Sequence, residues 1–591
     1  MRTRATRLAL LAALAPLLLG GCVSLPQSGG VQTRPEQDQV EPIDGPFEFS
    51  PSGPRKGASP LAVARGFLVA MEASPLSTAV AREFLSDEGR AGWLPERETV
   101  VFGSNVLTES GRTVTASLED TMRLDARGAW RGEAAEGGVT SYELRLVRER
   151  GEWRISNPPD ALIIPRTHFE TRYQQYFLYF FDPSAQILVP EPVYVPRGGQ
   201  APTMLVRRLV LGPDPALRGA VRSFIPAGTE VDLSVPVSGD GIAEVPLTEQ
   251  VRDLDGEELQ LLFAQIAWTL RQVSGVERMR ITVGGAPLEI PDEGASQSVT
   301  AWTEFDPSIH WASQELFGIR GGKVLALSAD GDRNVEGQFG AQEYALRDIA
   351  VDLPAEQVAG VTEDGTTVVV APRGREPDLA PSAQSTVEIY RGTDVLRPAW
   401  DIYGQVWLVD RARSGATVVV RRGGVVAAVP APGIAGQDIT SFTLSRDGTR
   451  FVAVVSAPGD DRVLVSRVLR DREGRVRGMT RAETLAVGPG GIGEIRDVAW
   501  RTPGSLALLT GPSPRASEVV LARVDGSSVL GGDSLDAEVF LQRAVHLVAS
   551  PTPGTPLYLG TRNGRVYALA SDGQWAGPVV RGGLQAPVFV G

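Results

Sequence analysis

The thiol of Cys22 is the side chain with the most distinctive covalent chemistry in this sequence, and it is the only cysteine among 591 residues. A cysteine thiolate is a strong nucleophile that is readily alkylated. A disulfide or a thiolate metal site would need a second cysteine, which the sequence lacks. Cys22 directly follows a leucine-rich run and two glycines, so the segment before it must explain why the chain keeps a single thiol there.

The segment before Cys22 predicts export. Arg2, Arg4 and Arg7 are followed by twelve apolar residues at positions 8–19, which include Pro16. A membrane-spanning helix needs about 20 apolar residues, so this run is too short to span and is typical of a signal peptide. A conventionally cleaved signal with a chance cysteine, or a retained N-terminal anchor, is the alternative interpretation.

The end of this segment resembles the bacterial lipobox, since Leu19, Gly20 and Gly21 precede Cys22. The resemblance implies a signal peptide at 1–21, cleavage between Gly21 and Cys22, and an N-palmitoyl, S-diacylglycerol Cys22. Two acyl chains hold a protein on a membrane far better than one. We therefore expect attachment to the extracytoplasmic face of the cell membrane.

Other chemistry is sparse. His168, His310 and His546 lie far apart in the sequence and in different predicted units. The chain has no HExxH motif, no Gly-x-Ser-x-Gly elbow and no Walker-type phosphate loop. Residues 488–493 are glycine-rich, but no helix is predicted after them to hold a phosphate. We expect no enzymatic activity, no catalytic residue and no cofactor.

The segment 330–334 has acidic residues at calcium-loop spacing. Asp330, Asp332 and Asn334 occupy alternate positions, but the sixth position is Val335 and the twelfth carries no acid. We expect a solvated hairpin turn here and no metal site.

Composition excludes two classes of partner. The net charge is -13, which argues against binding nucleic acid and against lying flat on anionic lipid.

Residues 22–58 are rich in Pro, Gly, Gln and Ser without a sustained apolar period, which predicts a flexible tether.

Two α+β domains are predicted after the tether. The first covers 59–165, with Ser59 as N-cap, Pro60 at the first helical position and an antiparallel sheet after two helices. It is interpreted as an NTF2-like cone or as a plain structural spacer. Connecting strands follow at 166–199.

The second domain covers 200–292. Its best helix begins after Asp255, with Glu258 three residues on in capping-box fashion. The successive segments LVLGP, IPAGTEV, DGIAEVPL, LLFAQIAWTL and GVERMRITVGG resemble a GerMN domain, a small α+β module of exported bacterial proteins.

Residues 315–591 predict a β-propeller. Short β-rich runs recur beside turn glycines at steps of 34 to 56 residues, at Gly331, Gly365, Gly404, Gly448, Gly504 and Gly554. Six blades fit the length, seven are possible, and a pair of β-sandwiches is the alternative. Trp400, Trp407 and Trp500 lie in strand patterns and are predicted to pack between blades.

This order of domains resembles the LpqB-type lipoproteins of actinobacteria. The resemblance implies an accessory of the MtrA-MtrB two-component system that contacts the extracellular part of an MtrB-like sensor kinase and tunes signalling to cell-wall growth and division. The alternative is a cell-wall glycan or small-ligand binding lipoprotein. A hydrolase built on the propeller is a third reading, which clustered carboxylates in one pocket would support.

Overall fold

In the described part of the N-terminal α/β region of the computed structural model, three α-helices, eight strands and a fourth α-helix follow one another. The structure describes residues 48–134, 138–291, 294–309, 311–328, 331–374, 386–487, 492–527, 535, 537–580 and 582–591. The elements of this region are α1 (Pro60–Ala70), α2 (Ala79–Glu83), α3 (Asp87–Gly92), β1 (Glu98–Phe102), β2 (Ser104–Ser110), β3 (Thr113–Glu119), β4 (Met122–Asp125), β5 (Trp130–Glu133), β6 (Val139–Glu149), β7 (Glu152–Ile155), β8 (Leu162–Pro165) and α4 (Arg166–Arg172).

Two four-stranded sheets enclose the core of this region, with strand orders β5-β4-β1-β8 and β2-β3-β6-β7. Ser59 caps α1 as predicted, since its hydroxyl accepts a hydrogen bond from the Ala62 amide at 3.2 Å. The expectation of a purely antiparallel sheet is wrong, because β8 pairs with β1 in parallel. The chain crosses over after β7 before it returns beside β1, which a hairpin pattern does not reveal.

A hairpin, two longer helices and a small sheet form the middle region. Its elements are β9 (Tyr173–Phe181), β10 (Leu188–Pro196), α5 (Ala201–Val210), β11 (Ile242–Leu247), α6 (Gly256–Leu270), β12 (Arg278–Val283), β13 (Ala286–Pro287) and β14 (Gln297–Ser298). Asp255 caps α6, because its Oδ1 accepts a hydrogen bond from the Glu258 amide at 2.9 Å. The hairpin β9–β10 shares one apolar core with α5 and α6.

Residues 222–241 are largely irregular. Isolated bridges form there, from Arg222 to Phe181, from Val231 to Leu247 and from Val237 to Ala243. Pro226 and Pro236 interrupt this segment, and a proline cannot donate to a strand ladder.

The C-terminal region is a propeller-like β domain. Its elements are β15 (Leu316–Arg320), β16 (Lys323–Ser328), β17 (Gly331–Asn334), α7 (Gln338–Ala341), β18 (Leu346–Val351), β19 (Gln357–Thr362), β20 (Thr367–Pro372), β21 (Val387–Arg391), β22 (Ala399–Trp400), β23 (Val406–Ala412), β24 (Gly415–Arg422), β25 (Val425–Ala428), β26 (Ile439–Leu444), β27 (Arg450–Val455), β28 (Arg462–Arg470), β29 (Val476–Met479), β30 (Glu483–Leu485), β31 (Ile495–Thr502), β32 (Ser505–Ser513), β33 (Ala516–Arg523), β34 (Ala544–Val548), β35 (Tyr558–Thr561), β36 (Val566–Leu569), β37 (Trp575–Ala576) and β38 (Gln585–Val588).

Within the described residues these strands form six antiparallel sheets. In chain order they are sheet 1 (β38-β15-β16-β17), sheet 2 (β18 to β21), sheet 3 (β22 to β25), sheet 4 (β26 to β30), sheet 5 (β31 to β33) and sheet 6 (β34 to β37). One strand from each sheet contacts the corresponding strands of the two neighbouring sheets, so that six strands form a ring. We term them the inner strands: β38, β18, β22, β26, β31 and β34. Because β38 pairs with β15 and contacts both β18 and β34, it completes sheet 1 and closes the ring.

Apolar clusters between neighbouring sheets hold the domain together. Trp400 lies between sheets 2 and 3, Trp407 between sheets 3 and 4, and Trp500 between sheets 4 and 5. All three are buried, at 3%, 0% and 4% exposure, so the prediction that they pack between strands is confirmed. The turn glycines Gly365 and Gly448 have φ of 74° and 68°, a conformation that glycine adopts without strain. No helix in the described part of the chain is both long and apolar enough to cross a bilayer.

Candidate functional site

The hairpin β9–β10 packs against one end of the C-terminal sheets. The inner strands end at this face, and the turns that follow them are residues 352–356, 401–405, 445–449 and 503–504. We term it the covered face. Ile187 from the hairpin joins an apolar cluster with Leu353 and Ala355 of the first of these turns. Among the described residues, the hydrogen bonds between the middle region and the six sheets all lie at this end.

Asp182 forms the tip of the hairpin and is fully buried. Its carboxylate accepts hydrogen bonds from the amides of Gln186 at 2.8 Å and Ile187 at 2.9 Å, and from the hydroxyl of Tyr403 in sheet 3. Burial, followed by the charge and hydrogen bond of Asp182, holds the pKa of Tyr403 well above its usual value. Tyr403 therefore remains a hydrogen-bond donor over the physiological range and ties the tip to the covered face.

Glu191 makes the second link. Its carboxylate lies 2.9 Å from Nη2 of Arg450, which is 0% exposed, and accepts hydrogen bonds from Arg467 at 2.7 Å and 2.9 Å. Arg450 also donates to the carbonyl of Pro190 at 2.6 Å. A buried arginine is stable only with such partners, so the hairpin and sheet 4 depend on each other.

We predict that Tyr403→Phe loosens this attachment by about 1.5–3 kcal/mol, the range for a hydrogen bond to a charged group. The ring and its stacking on Arg470, at 4.5 Å, are retained in the variant. Hydrogen exchange of residues 182–191 is expected to accelerate. Tyr390→Phe is the matched control, because the Tyr390 hydroxyl donates to Asp410 at 3.0 Å within the C-terminal domain. Equal acceleration of the hairpin in both variants would contradict the assignment.

The opposite end of the C-terminal sheets is where the inner strands begin. It includes the loops at residues 392–398, 429–438, 456–461 and 582–584, and we term it the open face. A cleft of about 440 Å³ lies there, lined by Thr440, Ser456, Ala457, Gly459, Asp461, Glu494, Ile495, Arg496, Arg543 and Val545. No aromatic side chain is among these lining residues. Glu494 pairs with both Arg496 and Arg543 at 2.8 Å, so the rim of the cleft carries both positive and negative charges.

Four inner strands carry a β-bulge at the same position near the open face. The register shifts between residues 346 and 348, 439 and 441, 495 and 497, and 544 and 546. The residue after each bulge is polar: Asp348, Ser441, Asp497 and His546. A bulge redirects a side chain, and its repetition in sheets 2, 4, 5 and 6 brings these groups together.

Arg397, just before the inner strand of sheet 3, completes this set. We term the five residues Asp348, Arg397, Ser441, Asp497 and His546 the axial ring. Nη2 of Arg397 lies 2.8 Å from Nδ1 of His546 and 3.5 Å from Oδ2 of Asp497, and its Nε lies 3.9 Å from Oδ1 of Asp348. Asp497 also accepts hydrogen bonds from the Ser441 hydroxyl at 2.8 Å and the Leu547 amide at 2.9 Å. One polar network thus joins five of the six sheets.

Burial and neighbouring charges shift the pKa values of two members of the axial ring, His546 and Arg397. Burial, followed by the adjacent Arg397, lowers the pKa of His546, and these effects outweigh the opposing influence of Asp497 and Asp348. Burial opposes the charge of Arg397, but the two carboxylates prevail and raise the pKa of its guanidinium. Near neutral pH the network therefore contains a neutral imidazole beside a guanidinium cation.

Among the residues singled out from the sequence, the structure describes only some, and it places His168 and His546 in different regions. Gly21 and Cys22 lie outside the described residues, as do His310, Asp330 and positions 488–491. His168 lies in α4, whereas His546 lies in the axial ring. Residues 331–334 form β17, and Asp332 there pairs with Arg320 at 2.8 Å.

The axial ring is not among the sites predicted from the sequence, although a repeat marks it. Three six-residue segments follow one pattern, in which the first position is apolar, the third is polar, and the fourth and sixth are apolar. They are LRDIAV (346–351), ITSFTL (439–444) and IRDVAW (495–500). An alignment based on the turn glycines hides this pattern. The pattern lies in the first strand of each sheet, whereas the turn glycines come after that strand. A search for repeats anchored on the first strand would have found it.

Known protein families match three successive parts of the chain. The model described as "Lipoprotein LpqB, N-terminal domain" matches residues 53–170, "Sporulation and spore germination" matches 177–289, and "Lipoprotein LpqB beta-propeller domain" matches 322–589. This order is the order of the α/β region, the middle region and the C-terminal sheets.

Whole-length relatives agree with the family models. "Lipoprotein LpqB" of Thermobifida fusca is 26% identical over 95% of both chains, and that of Mycobacterium ulcerans is 29% identical over 98% of both chains. Among solved structures, the first GerMN domain of the sporulation protein GerM from Bacillus subtilis is similar at 22% identity and a TM-score of 0.18, covering 21% of this chain and 94% of that one.

Proposed function

Because the chain belongs to the LpqB lipoprotein family, we propose that it is a membrane-anchored, extracytoplasmic lipoprotein that binds the extracellular part of an MtrB-like sensor kinase. Through this contact it modulates signalling to cell-envelope growth and division. The role assigned to it is that of a binding partner, without a reaction and without a cofactor or nucleic acid.

The anchor is at Cys22 in this proposal. Cleavage after Gly21 frees Cys22, which then carries the S-diacylglycerol and N-palmitoyl groups. The sequence of the preceding segment and membership of a lipoprotein family support this assignment. More than one acyl chain is required for stable attachment, and the diacylglycerol alone supplies two.

The division into domains follows the same proposal. The segments are the signal peptide at 1–21, a tether at 22–58, an NTF2-like domain at 59–165, connecting strands at 166–199, a GerMN domain at 200–292 and a six-bladed propeller at 315–591. The two sheets that enclose α1 support the first domain, and the ring of inner strands supports six blades rather than seven.

The proposal depends on one observation, namely that the two ends of the C-terminal sheets differ in what covers them. The hairpin occupies the covered face through Asp182 and Glu191, whereas the open face presents loops and a charged cleft. Loops on a rigid scaffold are the usual site of recognition. We therefore place the kinase contact at the open face.

Glycan or small-ligand binding, the alternative function, receives less support. Small-molecule sites are concave and lined mostly by apolar and aromatic side chains, with a few convergent polar groups. The lining of the open-face cleft has charged and aliphatic side chains but none of the aromatic rings on which a sugar would stack. Glu494, Arg496 and Arg543 there already satisfy one another.

Charge reversal at the open face tests the proposal. Arg543→Glu is expected to weaken binding of the purified full-length protein to the kinase ectodomain about tenfold, or about 1.4 kcal/mol, because the Arg543 side chain is 44% exposed at the rim of the cleft. Titration by surface plasmon resonance at constant salt measures the effect.

Arg475→Glu is the matched control for this titration. Arg475 is also an exposed arginine in ion pairs, with Asp471 and Glu473, but it lies at the covered-face end of sheet 4. We expect this variant to bind as the wild type does. No binding by the wild type, or a loss confined to Arg475→Glu, would refute the proposed contact.

A further inference from the structure

The contact between Arg397 and His546 fixes the protonation of the imidazole. A guanidinium group has only donors, so Nδ1 of His546 must accept the hydrogen bond across the 2.8 Å that separates it from Nη2 of Arg397. The imidazole is therefore neutral and carries its proton on Nε2. This conclusion depends on geometry alone.

A proton on Nδ1 is incompatible with this geometry. It would place two N–H donors face to face, and two positive charges side by side. The charged groups around His546 are Arg397 from sheet 3, Asp497 from sheet 5 and Asp348 from sheet 2. Gly560 and Pro587, which pack against each other and beside His546, contribute no charge. A protonated His546 is thus driven away from Arg397 and towards a carboxylate.

We propose that the axial ring is a proton-responsive latch, in which uptake of one proton by His546 in mild acid breaks its bond to Arg397 and loosens the open-face ends of the inner strands. The bond joins sheets 3 and 6, and Arg397 and Asp497 extend it to sheet 5. Breaking it removes a link across the ring of inner strands.

The open-face cleft lies next to the parts that would move. Thr440, Arg496 and Val545 line the cleft, and each directly precedes a ring residue at a bulge. A shift of Ser441, Asp497 or His546 therefore alters the cleft wall without any change in the covered face. The effect on kinase binding rests on the proposed function, but the latch itself can be tested without a partner.

The direction of the pH effect follows from the lowered pKa of His546. The folded protein takes up this proton less readily than the unfolded chain, whose histidine titrates near the ordinary value of 6.5. The stability contributed by the neutral imidazole is therefore complete above pH 6.5. It decreases as the pH falls from 6.5 towards the lowered pKa of the folded state.

Hydrogen exchange of the full-length protein in detergent micelles tests the latch. After correction for intrinsic rates, we expect segments 346–348, 439–441, 495–497 and 544–546 to lose about tenfold in protection between about pH 7.5 and about pH 5.5, the factor that equals one pKa unit. His546→Asn is expected to keep the same protection at both pH values, because its Oδ1 accepts from Arg397 but does not titrate.

His168→Asn is the matched control, since His168 is a half-buried histidine of α4, outside the ring. It should respond to pH as the wild type does. Constant protection in the wild type, or the same loss in His546→Asn, overturns the latch. A readout that needs no variant is the imidazole ¹⁵N spectrum near neutral pH, where a proton on Nδ1 of His546 would also overturn it.

Discussion

Replacing Glu191 with alanine is expected to destabilise the folded protein by about 3–5 kcal/mol, the cost of leaving a buried charge without its partner. Arg450 is 0% exposed, and the carboxylate of Asp447 lies 3.6 Å from its Nη1, beyond hydrogen-bond distance. The hairpin should detach before the sheets unfold. Urea denaturation, followed by tryptophan fluorescence and by hydrogen exchange of β10, measures both steps.

Glu494→Ala is the matched control for this substitution. Glu494 also holds two arginines, Arg496 and Arg543, but its side chain is 47% exposed. Arg496 is 4% exposed but keeps hydrogen bonds to the carbonyls of Ala516 and Ser513, so the expected cost is within about 1 kcal/mol. The double variant Glu191→Leu, Arg450→Met should regain most of the lost stability, because an apolar pair needs no charge partner. If Glu191→Ala costs no more than Glu494→Ala, the covered face is not held by this ion pair.

Local features of the fold could be predicted from the sequence because their causes are local. Ser59 and Asp255 cap helices that begin one residue later, and the capping bonds reach only three residues along the chain. Trp400 and Trp407 were expected to pack between strands because alternation places them on the buried face. In each case the pattern and the contact fall within a short window.

The polar contacts of the covered face lack such a pattern. Glu191 and Arg450 are 259 positions apart, and Asp182 and Tyr403 are 221 apart. Each looks in the sequence like a surface residue near a turn. Only the packing of the hairpin on sheets 3 and 4 buries them, so their pairing depends on tertiary structure.

The axial ring is an intermediate case. Its members are repeated at the start of successive sheets, which a sequence can reveal, but the bulges that turn them towards one another depend on strand register. The wide separation of the histidines at 168, 310 and 546 predicts no shared histidine site. The partners of His546 are instead an arginine and two aspartates, which the spacing of histidines does not reveal.

Replacing Cys22 with alanine is expected to move the protein from the membrane fraction to the soluble fraction. At about 0.8 kcal/mol per buried methylene, the acyl chains contribute a gross anchoring free energy on the order of 20 kcal/mol. No other substitution in the chain is expected to have a larger effect. Mass spectrometry of the mature N-terminal peptide, together with membrane fractionation, measures it. An unmodified Cys22, or membrane retention of the variant, would contradict the anchor.

The same substitution separates the role of the anchor from that of the open face. A tethered protein reaches its partner at a high effective concentration, so contacts that are weak in solution suffice at the membrane. In a membrane pull-down, Cys22→Ala should therefore lose most kinase recovery, while its intrinsic affinity for the soluble kinase ectodomain stays at the wild-type value. Arg543→Glu should show the reverse, with normal membrane attachment and weakened affinity. A loss of intrinsic affinity in Cys22→Ala would mean that the lipidated N-terminus itself contacts the kinase, and the open face would then not be the principal binding surface.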